Sequence, residues 1–440
     1  MGKELKKRKS ATYLMDFIEL TVYALLFVLL WRAFYRNQVY FFRKGNYVVA
    51  LIYWIQLFIF MHIYNGFSIG QATVGNIILS QAIAVFFTDF LMYFEIALVA
   101  YRFLAVSGFW WIFLIQVASV IGLVLLLDTV FYSSFKPVQT LLFYSGNPDN
   151  LVSKLIRYQG RNIKITDSIQ ITGTVDDVLE QVGQAEQIMI SGLPIEQKAK
   201  LVTYCYEKEK QVIEVPSIYE ILLNKGIDMH LVDTPLIQVN QFGPSQLSKE
   251  VKRLSDIVLS LLALIILAPL FLITFLAVKL SDGGPAFYRQ TRLTQYGRKF
   301  QIIKFRSMKV NAEADGKAVF AKENDNRVTK VGKVIRKCRL DELPQLINIL
   351  RGDMSFVGPR PERPEIAAEI RKTVPEFDLR LMMKAGLTGY AQVYGKYNTD
   401  LKDKLLLDLQ YIEDFSLVLD LKLILMTFKT LFIKDSTEGV

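Results

Sequence analysis

The chain has 440 residues, 52% of them hydrophobic, a net charge of +10 and a mean hydropathy of +0.28. That length asks for two or three domains rather than one core. The apolar residues concentrate in 13–132 and 257–280, which marks a membrane protein. The two cysteines, Cys205 and Cys338, fall in different predicted domains, so a disulfide framework is excluded. The two histidines form no HExxH, and no clustered Cys/His set supports zinc. No zinc-finger or RNP-type motif appears, so nucleic acid is not an expected partner despite the positive charge. Acid–base or nucleophilic chemistry, if present, must fall to carboxylates.

A basic lead-in at residues 3–9 precedes four apolar stretches, roughly 13–31, 47–64, 77–101 and 109–131. Each has the ~20 residues that a helix needs to cross a bilayer core. The first lacks a small-residue cleavage site and carries Asp16 and Glu19, so it does not read as a cleaved signal. Asp16 and Glu19 lie near one end, where they can face headgroups. Asp89 and Glu95 lie deeper and read as polar contacts inside a four-helix bundle, with a proton or substrate path as the sharper alternative. An even number of spans puts both flanks on one side, and the Lys/Arg distribution slightly favours the N-terminus inside.

Residues 135–245 alternate strand and helix. Strands are expected at 140–144, 163–165, 187–191 and 211–215, with helices at 150–158, 175–182 and 196–208. That order predicts a small Rossmann-like domain with a parallel sheet. Its first turn, Tyr144 to Asn150, has one glycine where a dinucleotide site needs three, and Pro148 sits among the amides such a site would use. The domain is therefore expected to have a structural, regulatory or oligomerising role without a dinucleotide, and to hold a homodimer together.

Residues 257–278 form a charge-free apolar run of spanning length, divided by Pro269. Neither half can cross a bilayer alone, and proline breaks or kinks a helix. Lys252, Arg253 and Asp256 crowd one end, and Lys279 and Asp282 the other. A fifth span and a re-entrant hairpin are both consistent with this pattern, and they place residues 281–440 on opposite sides of the membrane.

Beyond the Asp282-Gly283-Gly284-Pro285 turn, residues 286–308 read as a β-hairpin broken at Gln295–Gly297. Lys304 and Arg306, two apart on a strand, are expected to project to one side. Further on, Leu340, Leu343, Ile347 and Leu350 recur at helical spacing and predict a helix over 341–350. Asp341 falls at or near its N-cap and Pro344 in its first turn. Asp341 and Glu342 stand side by side, Arg336 is upstream, and a Gly358-Pro359-Arg360-Pro361 turn lies downstream. Paired carboxylates among arginines suit phosphoryl chemistry. One can attack phosphorus, its neighbour can hold a divalent cation, and the arginines can offset phosphate charge.

From about Lys252 onward the chain resembles the bacterial sugar transferases, the monotopic polyprenyl-phosphate hexose-1-phosphate transferases. The matching residues are Lys252-Arg253-x-x-Asp256, the proline-broken apolar helix, Gly284-Pro285, Lys304-Phe305-Arg306-Ser307-Met308 and Asp341-Glu342-Leu343-Pro344-Gln345. They continue with Arg351-Gly352-Asp353-Met354-Ser355, Val357-Gly358-Pro359-Arg360-Pro361-Glu362, Gly386-Leu387-Thr388-Gly389-Tyr390 and Asp420-Leu421-Lys422. Lys384-Ala385-Gly386 departs from the Arg-Pro-Gly of many members. Four spans and an α/β domain ahead of this region match the long form of the family by layout.

The resemblance implies transfer of a sugar-1-phosphate from a UDP-sugar to undecaprenyl phosphate, with release of UMP, as the first membrane step of capsule or exopolysaccharide synthesis. It gives Asp341 the nucleophile's role, through a covalent aspartyl-phosphosugar, and Glu342, with Asp341, a part in holding Mg²⁺. Lys304, Arg306, Arg336 and Arg360 match its phosphate-binding positions, and Lys252, Arg253, Asp256 and Pro269 its membrane hairpin. The broken helix is re-entrant in this family. The expected organisation is a four-span domain (1–134), the α/β domain (135–245) and a mainly helical catalytic domain (246–440) facing the cytoplasm from the inner membrane. A transporter and an inactive membrane-anchored regulator are the alternatives from other classes.

Overall fold

A computed structural model of the chain describes residues 2–35, 39, 44–145, 163–183, 185–224, 226–239, 243–310, 327–395 and 399–432. The chain divides into two units, Met1–Pro216 and Ser217–Val440. Helix Ile218–Leu223 belongs to the second unit, with Ile221 buried among Leu405, Leu409, Tyr411 and Ile412.

In the first unit, helices α1 (Gly2–Tyr35), α2 (Gly45–Ile63), α3 (Val74–Val99) and α4 (Val106–Ser134) are each long and apolar enough to cross a membrane. Many of their outward residues are apolar and exposed, such as Leu25, Leu29, Leu98 and Leu125, as lipid contact requires. Polar residues turn inward instead. The Tyr53 hydroxyl donates to Asp89 at 2.9 Å, Gln56 Nε2 to Glu95 at 2.6 Å and the Tyr23 hydroxyl to Gln81 at 2.8 Å. Asp89 and Glu95 thus make contacts inside the bundle, as expected. Glu19 does not face headgroups: it is fully buried, because α1 presents the Glu19–Tyr23 face to Gln81 on α3.

The same unit carries a four-stranded parallel sheet in the order β2-β1-β3-β4, with β1 Val138–Tyr144, β2 Ile163–Gln170, β3 Gln187–Ser191 and β4 Gln211–Glu214. β1 and β3 are almost wholly buried, as strands covered on both faces must be. Helix Ile195–Glu207 packs Leu201 and Cys205 onto Leu141, Phe143, Ile188 and Ile190. The 175–182 segment winds as two short helical turns, Val175–Val178 and Leu179–Val182. The expected helix at 150–158 and the Gly146–Asn150 turn lie outside the described residues.

The second unit opens with the helix Ile218–Leu223 and an unforeseen hairpin of β5 (Ile227–Leu231) and β6 (Thr234–Gln238). The apolar segment follows as two helices, Gln246–Ile266 and Ala268–Asp282, bent by 66°. Pro269 stands in the first turn of the second helix, where its missing N–H is no loss. A chain that turns in this way fits a re-entrant hairpin. Its faces pack on the rest of the unit: Ala263 and Leu264 lie against Phe300, Ile302, Leu346 and Ile349. Phe271, Phe275 and Val278 lie against Phe305 and Ile335.

Three residues of the motif lock this pair in place. Lys252 forms an ion pair with Asp420, whose other oxygen accepts from the Tyr411 hydroxyl at 2.7 Å. Arg253 donates to the carbonyls of Ile349 and Leu350 at 2.6 and 2.7 Å, satisfying the open end of helix Gln345–Arg351. Asp256 accepts from Ser355 Oγ and Phe356 N–H, both at 3.0 Å.

Pro269→Leu should restore a continuous helix and push part of the population into a spanning state. Labelling of Lys333→Cys with an impermeant thiol reagent on intact cells, with Cys205 and Cys338 replaced by serine, reads this out. Protection is expected while Pro269 is kept, and labelling once it is replaced. Labelling with Pro269 present would mean that the segment crosses the membrane.

Candidate active site around Asp341 and Glu342

The β-hairpin foreseen at 286–308 is present as β7 (Phe287–Leu293) and β8 (Lys299–Phe305), turning at Tyr296 and Gly297, both at positive φ. Behind β8, helix Lys330–Lys337 ends at Arg339, which adopts a left-handed conformation (φ 54°, ψ 21°). That residue reverses the chain and starts a 3-10 turn, Leu340–Glu342, which carries the acid pair. The regular helix begins only at Gln345. Pro344 accounts for the delay: its ring clashes with the carbonyl four residues back, so the segment winds with i to i+3 bonds from Arg339 to Pro344. Asp341 is consequently no N-cap. It is buried, 8% exposed, while Leu340 and Leu343 anchor the turn against Val278, Phe305 and Ile335.

The two carboxylates have opposite surroundings. Glu342 accepts from Lys304 Nζ at 2.8 Å and lies 3.7 Å from Arg360 Nη2 and 4.0 Å from Arg339 Nη1. No described side chain hydrogen-bonds the Asp341 carboxylate. Burial opposes the ionisation of Glu342, but the charges of Lys304, Arg360 and Arg339 outweigh it and hold the group well below the usual carboxylate range. Asp341 is pushed up, first by burial and then by the Glu342 charge, with Lys304, Arg336 and Arg339 offsetting part of the rise. Arg336 Nη1 is itself buried with no hydrogen-bond partner among the described residues.

Lys304, Arg336, Arg339 and Arg360 therefore act on two adjacent carboxylates in one pocket. Cations gathered in this way suit an anionic ligand such as a diphosphate. The site also bears on a metal. Among the described residues no cluster of three or more His, Cys, Asp or Glu exists that could hold one. With Glu342 paired to Lys304, two carboxylates alone make a poor resident cation site. They do suit Mg²⁺ arriving with phosphate oxygens, the usual mode for an ion that keeps its waters and takes one or two carboxylates.

The expected pairing of Lys304 with Arg306 is not found. β8 ends at Phe305, so the two-residue alternation stops there and Arg306 turns away. It pairs bidentately with Asp282, donates through Nε to the Pro285 carbonyl at 2.6 Å and through Nη1 to the Met308 carbonyl at 3.3 Å. Its hydrogen bonds pull Asp282 down to about 2. Arg306 thus pins the end of the bent helix pair to the β-hairpin rather than facing the acid pair. Arg306→Ala is expected to lower Tm while leaving donor KM unchanged in the folded fraction. Arg360→Ala should do the reverse, raising KM about tenfold or more with little change in Tm, as checked by steady-state kinetics and thermal denaturation.

Arg360 is placed by residues that the sequence reading did not single out. Its carbonyl accepts from Arg380 Nη2 at 3.0 Å, and buried Arg380 is held by fully buried Asp408 at 2.7 Å. Arg292 Nη1 donates to the adjacent carbonyl, that of Pro361, at 3.1 Å. Below this turn, β9 (Ser355–Val357) and β10 (Gly386–Thr388) run parallel, and the backbone crosses so closely at Gly358 that a Cβ there would lie 2.2 Å from the Lys384 carbonyl oxygen. Local pattern could not reveal Asp408, which reads as one charge among several on helix Leu401–Glu413. The Lys384-Ala385-Gly386 departure has a local use: the Ala385 N–H donates to Thr294 Oγ1 at 3.2 Å, a bond that proline could not make.

Residues 247–434 match the profile described as bacterial sugar transferase. A UDP-glucose:undecaprenyl-phosphate glucose-1-phosphate transferase of Caulobacter vibrioides is 42% identical over 191 residues, 42% of this chain and 71% of that protein. The chain belongs to the bacterial sugar transferase family. The chain is also similar to a UDP-N-acetylgalactosamine-undecaprenyl-phosphate N-acetylgalactosaminephosphotransferase of Aeromonas hydrophila, 42% identical over 223 residues (50% of this chain, 52% of the relative). A UDP-glucose:undecaprenyl-phosphate glucose-1-phosphate transferase of Escherichia coli is 39% identical over 241 residues (52% and 50%). The chain spans about half the length of these last two relatives. In all three the matched part is shorter than this chain's two units together.

Proposed function

We propose that this chain transfers a sugar-1-phosphate from a UDP-sugar to undecaprenyl phosphate and releases UMP, with Asp341 as nucleophile. The single observation that carries the reading is the pocket itself: a carboxylate with no side-chain hydrogen bond among the described residues beside one held ionised, with Lys304, Arg336, Arg339 and Arg360 acting on them. The activities for which the relatives are named supply the substrate class.

An Asp341 oxygen attacks the phosphorus that carries the sugar, and the bond from that phosphorus to the UMP oxygen breaks. UMP leaves, and an aspartyl-phosphosugar remains. An oxygen of undecaprenyl phosphate then attacks the same phosphorus, the bond to Asp341 breaks, and the carboxylate is restored. Lys304, Arg336, Arg339 and Arg360 hold the phosphate oxygens and stabilise the charge that gathers at each displacement. Glu342 and Asp341 would be the residues to hold Mg²⁺, which would supply further charge neutralisation. Two separate displacements spare the site from holding two anionic substrates at once. The reading places the catalytic unit on the cytoplasmic face of the inner membrane, where nucleotide sugars are, and its product at the start of capsule or exopolysaccharide assembly.

The test is a panel of UDP-sugars assayed in membranes with undecaprenyl phosphate and Mg²⁺. UMP release dependent on the lipid phosphate and abolished by EDTA is expected with at least one donor. No release with any donor would remove the transferase reading in favour of a regulator or a transporter. Undiminished release in EDTA would remove Mg²⁺ alone.

A further inference from the structure

We propose that Asn348 is a positioning residue for the reaction: its side-chain amide fixes the register between β8 and helix Gln345–Arg351, and so sets Lys304 on Glu342. The effect on rate rests on the transferase reading above. The placement of Lys304 does not.

Asn348 is fully buried in that helix. Its Oδ1 accepts from the Ile303 N–H at 3.0 Å, and its Nδ2 donates to the Gln301 carbonyl at 2.8 Å. One amide thus meets an N–H and a C=O on the same edge of β8, as the peptide of a further strand would. The other edge of β8 is taken by β7. Without Asn348 these two buried main-chain groups would lack partners, which is costly. Among the described residues they are the only hydrogen bonds between β8 and this helix.

Apolar packing cannot set this register by itself. Phe300 and Ile302 lie against Leu346 and Ile349, but such contact is non-directional and tolerates sliding. Strand alternation puts Lys304 on the same face as Phe300 and Ile302. A slip of one residue would turn that face away and bring Ile303 or Phe305 toward the acids. The same slip would offer Asn348 main-chain groups that alternation turns toward β7, so its two bonds oppose it.

The register decides where a charge stands. Lys304 follows Ile303 directly, and its Nζ reaches Glu342 at 2.8 Å, closer than Arg360 at 3.7 Å or Arg339 at 4.0 Å. Glu342 belongs to the turn that leads through Pro344 into the helix of Asn348, so no flexible segment separates the amide from the ion pair. A displaced Lys304 would still attract a diphosphate, because Coulomb energy falls only as the inverse of distance. It would no longer meet the charge that gathers during displacement at phosphorus. The rate of turnover should therefore suffer more than donor affinity.

The experiment uses the full chain purified in detergent, with Asn348→Ala, Lys304→Met and Glu342→Gln made singly and in combination. In the folded fraction Asn348→Ala should lower kcat about tenfold and change donor KM by less than about twofold. Added to Lys304→Met it should lower kcat by less than about twofold more, since the residue through which it acts is gone. Thermal denaturation reads the same link without turnover. The Tm coupling between Lys304→Met and Glu342→Gln should shrink by about half or more once Asn348 is replaced. Should Asn348→Ala not fold, Asn348→Gln keeps both amide groups one methylene further out and carries the same coupling measurement, with the same loss expected. Undiminished coupling would overturn the proposal. So would an equal kcat loss from Asn348→Ala with and without Lys304→Met. Absence of UMP release from the parent chain would remove the transferase reading alone, and the Tm coupling would still decide what places Lys304.

Discussion

Asp341→Asn releases no UMP above about 0.1% of the parent rate and forms no labelled phosphosugar adduct. This is the expected result if the carboxylate bonds to phosphorus, since an amide cannot, and a thousandfold loss corresponds to about 4 kcal/mol of barrier. The fold should survive. Asp341 is buried and makes no hydrogen bond among the described residues, so the isosteric amide breaks none. The sign of the stability change follows from its raised pKa. A carboxyl whose pKa rises on folding costs stability at pH above its folded value, a cost absent below its unfolded one. At neutral pH the neutral amide removes that cost, so Tm should stay level or rise. The parent enzyme should also lose kcat/KM on acidification at a pH above the ordinary Asp range of about 4. Retained turnover in the variant, or a fall in Tm of several degrees, would remove Asp341 from the nucleophile's role.

Glu342→Gln should have the opposite thermal signature. Glu342 faces Lys304, Arg360 and Arg339, and its pKa is lowered in the fold. A lowered carboxyl contributes stability above its unfolded pKa, and that contribution is lost as pH falls through the folded value. The glutamine variant should therefore be less stable at pH 7 by on the order of 1–3 kcal/mol, below the cost of breaking a fully buried pair because Arg360 is 47% exposed. Near pH 2 the two proteins should converge. Turnover should fall about a hundredfold or more, since an anion-binding pocket would lose the charge that orders its cations. Two adjacent carboxylates whose neutralisation moves Tm in opposite directions would identify their division of labour without any kinetic measurement. Equal shifts would deny it.

The acid pair, Lys304 and Arg360 were legible because they stand in short motifs whose residue types already state a chemistry. The bundle and the parallel sheet were legible because apolar length and strand–helix alternation are local properties. What escaped depends on where the chain stops being regular. Arg306 was read by strand alternation one residue past the end of β8, where that rule no longer applies. Asp341 was read as a helix cap because spacing cannot reveal the left-handed Arg339 ahead of it or the clash that Pro344 imposes behind it. Asp408 and Arg380 meet across 28 residues, a distance that no local pattern spans. The β5–β6 hairpin was missed although its alternation and two-residue turn were visible, because five residues per strand give little periodicity to read.

Lys252, Arg253 and Asp256 grip the catalytic unit at Asp420, at the end of helix Gln345–Arg351 and at Ser355–Phe356. An elbow fastened at three points leaves no slack, so the unit cannot bob at the membrane surface as a tethered enzyme does. On the function proposed above, with the elbow seated in a bilayer, its working depth becomes a property of that bilayer: thickening the hydrocarbon layer would lift or sink Asp341 as one piece with the elbow. Lipid composition should then tune reaction rate in a bell-shaped way, with the optimum set by the length of the two helices on either side of Leu267.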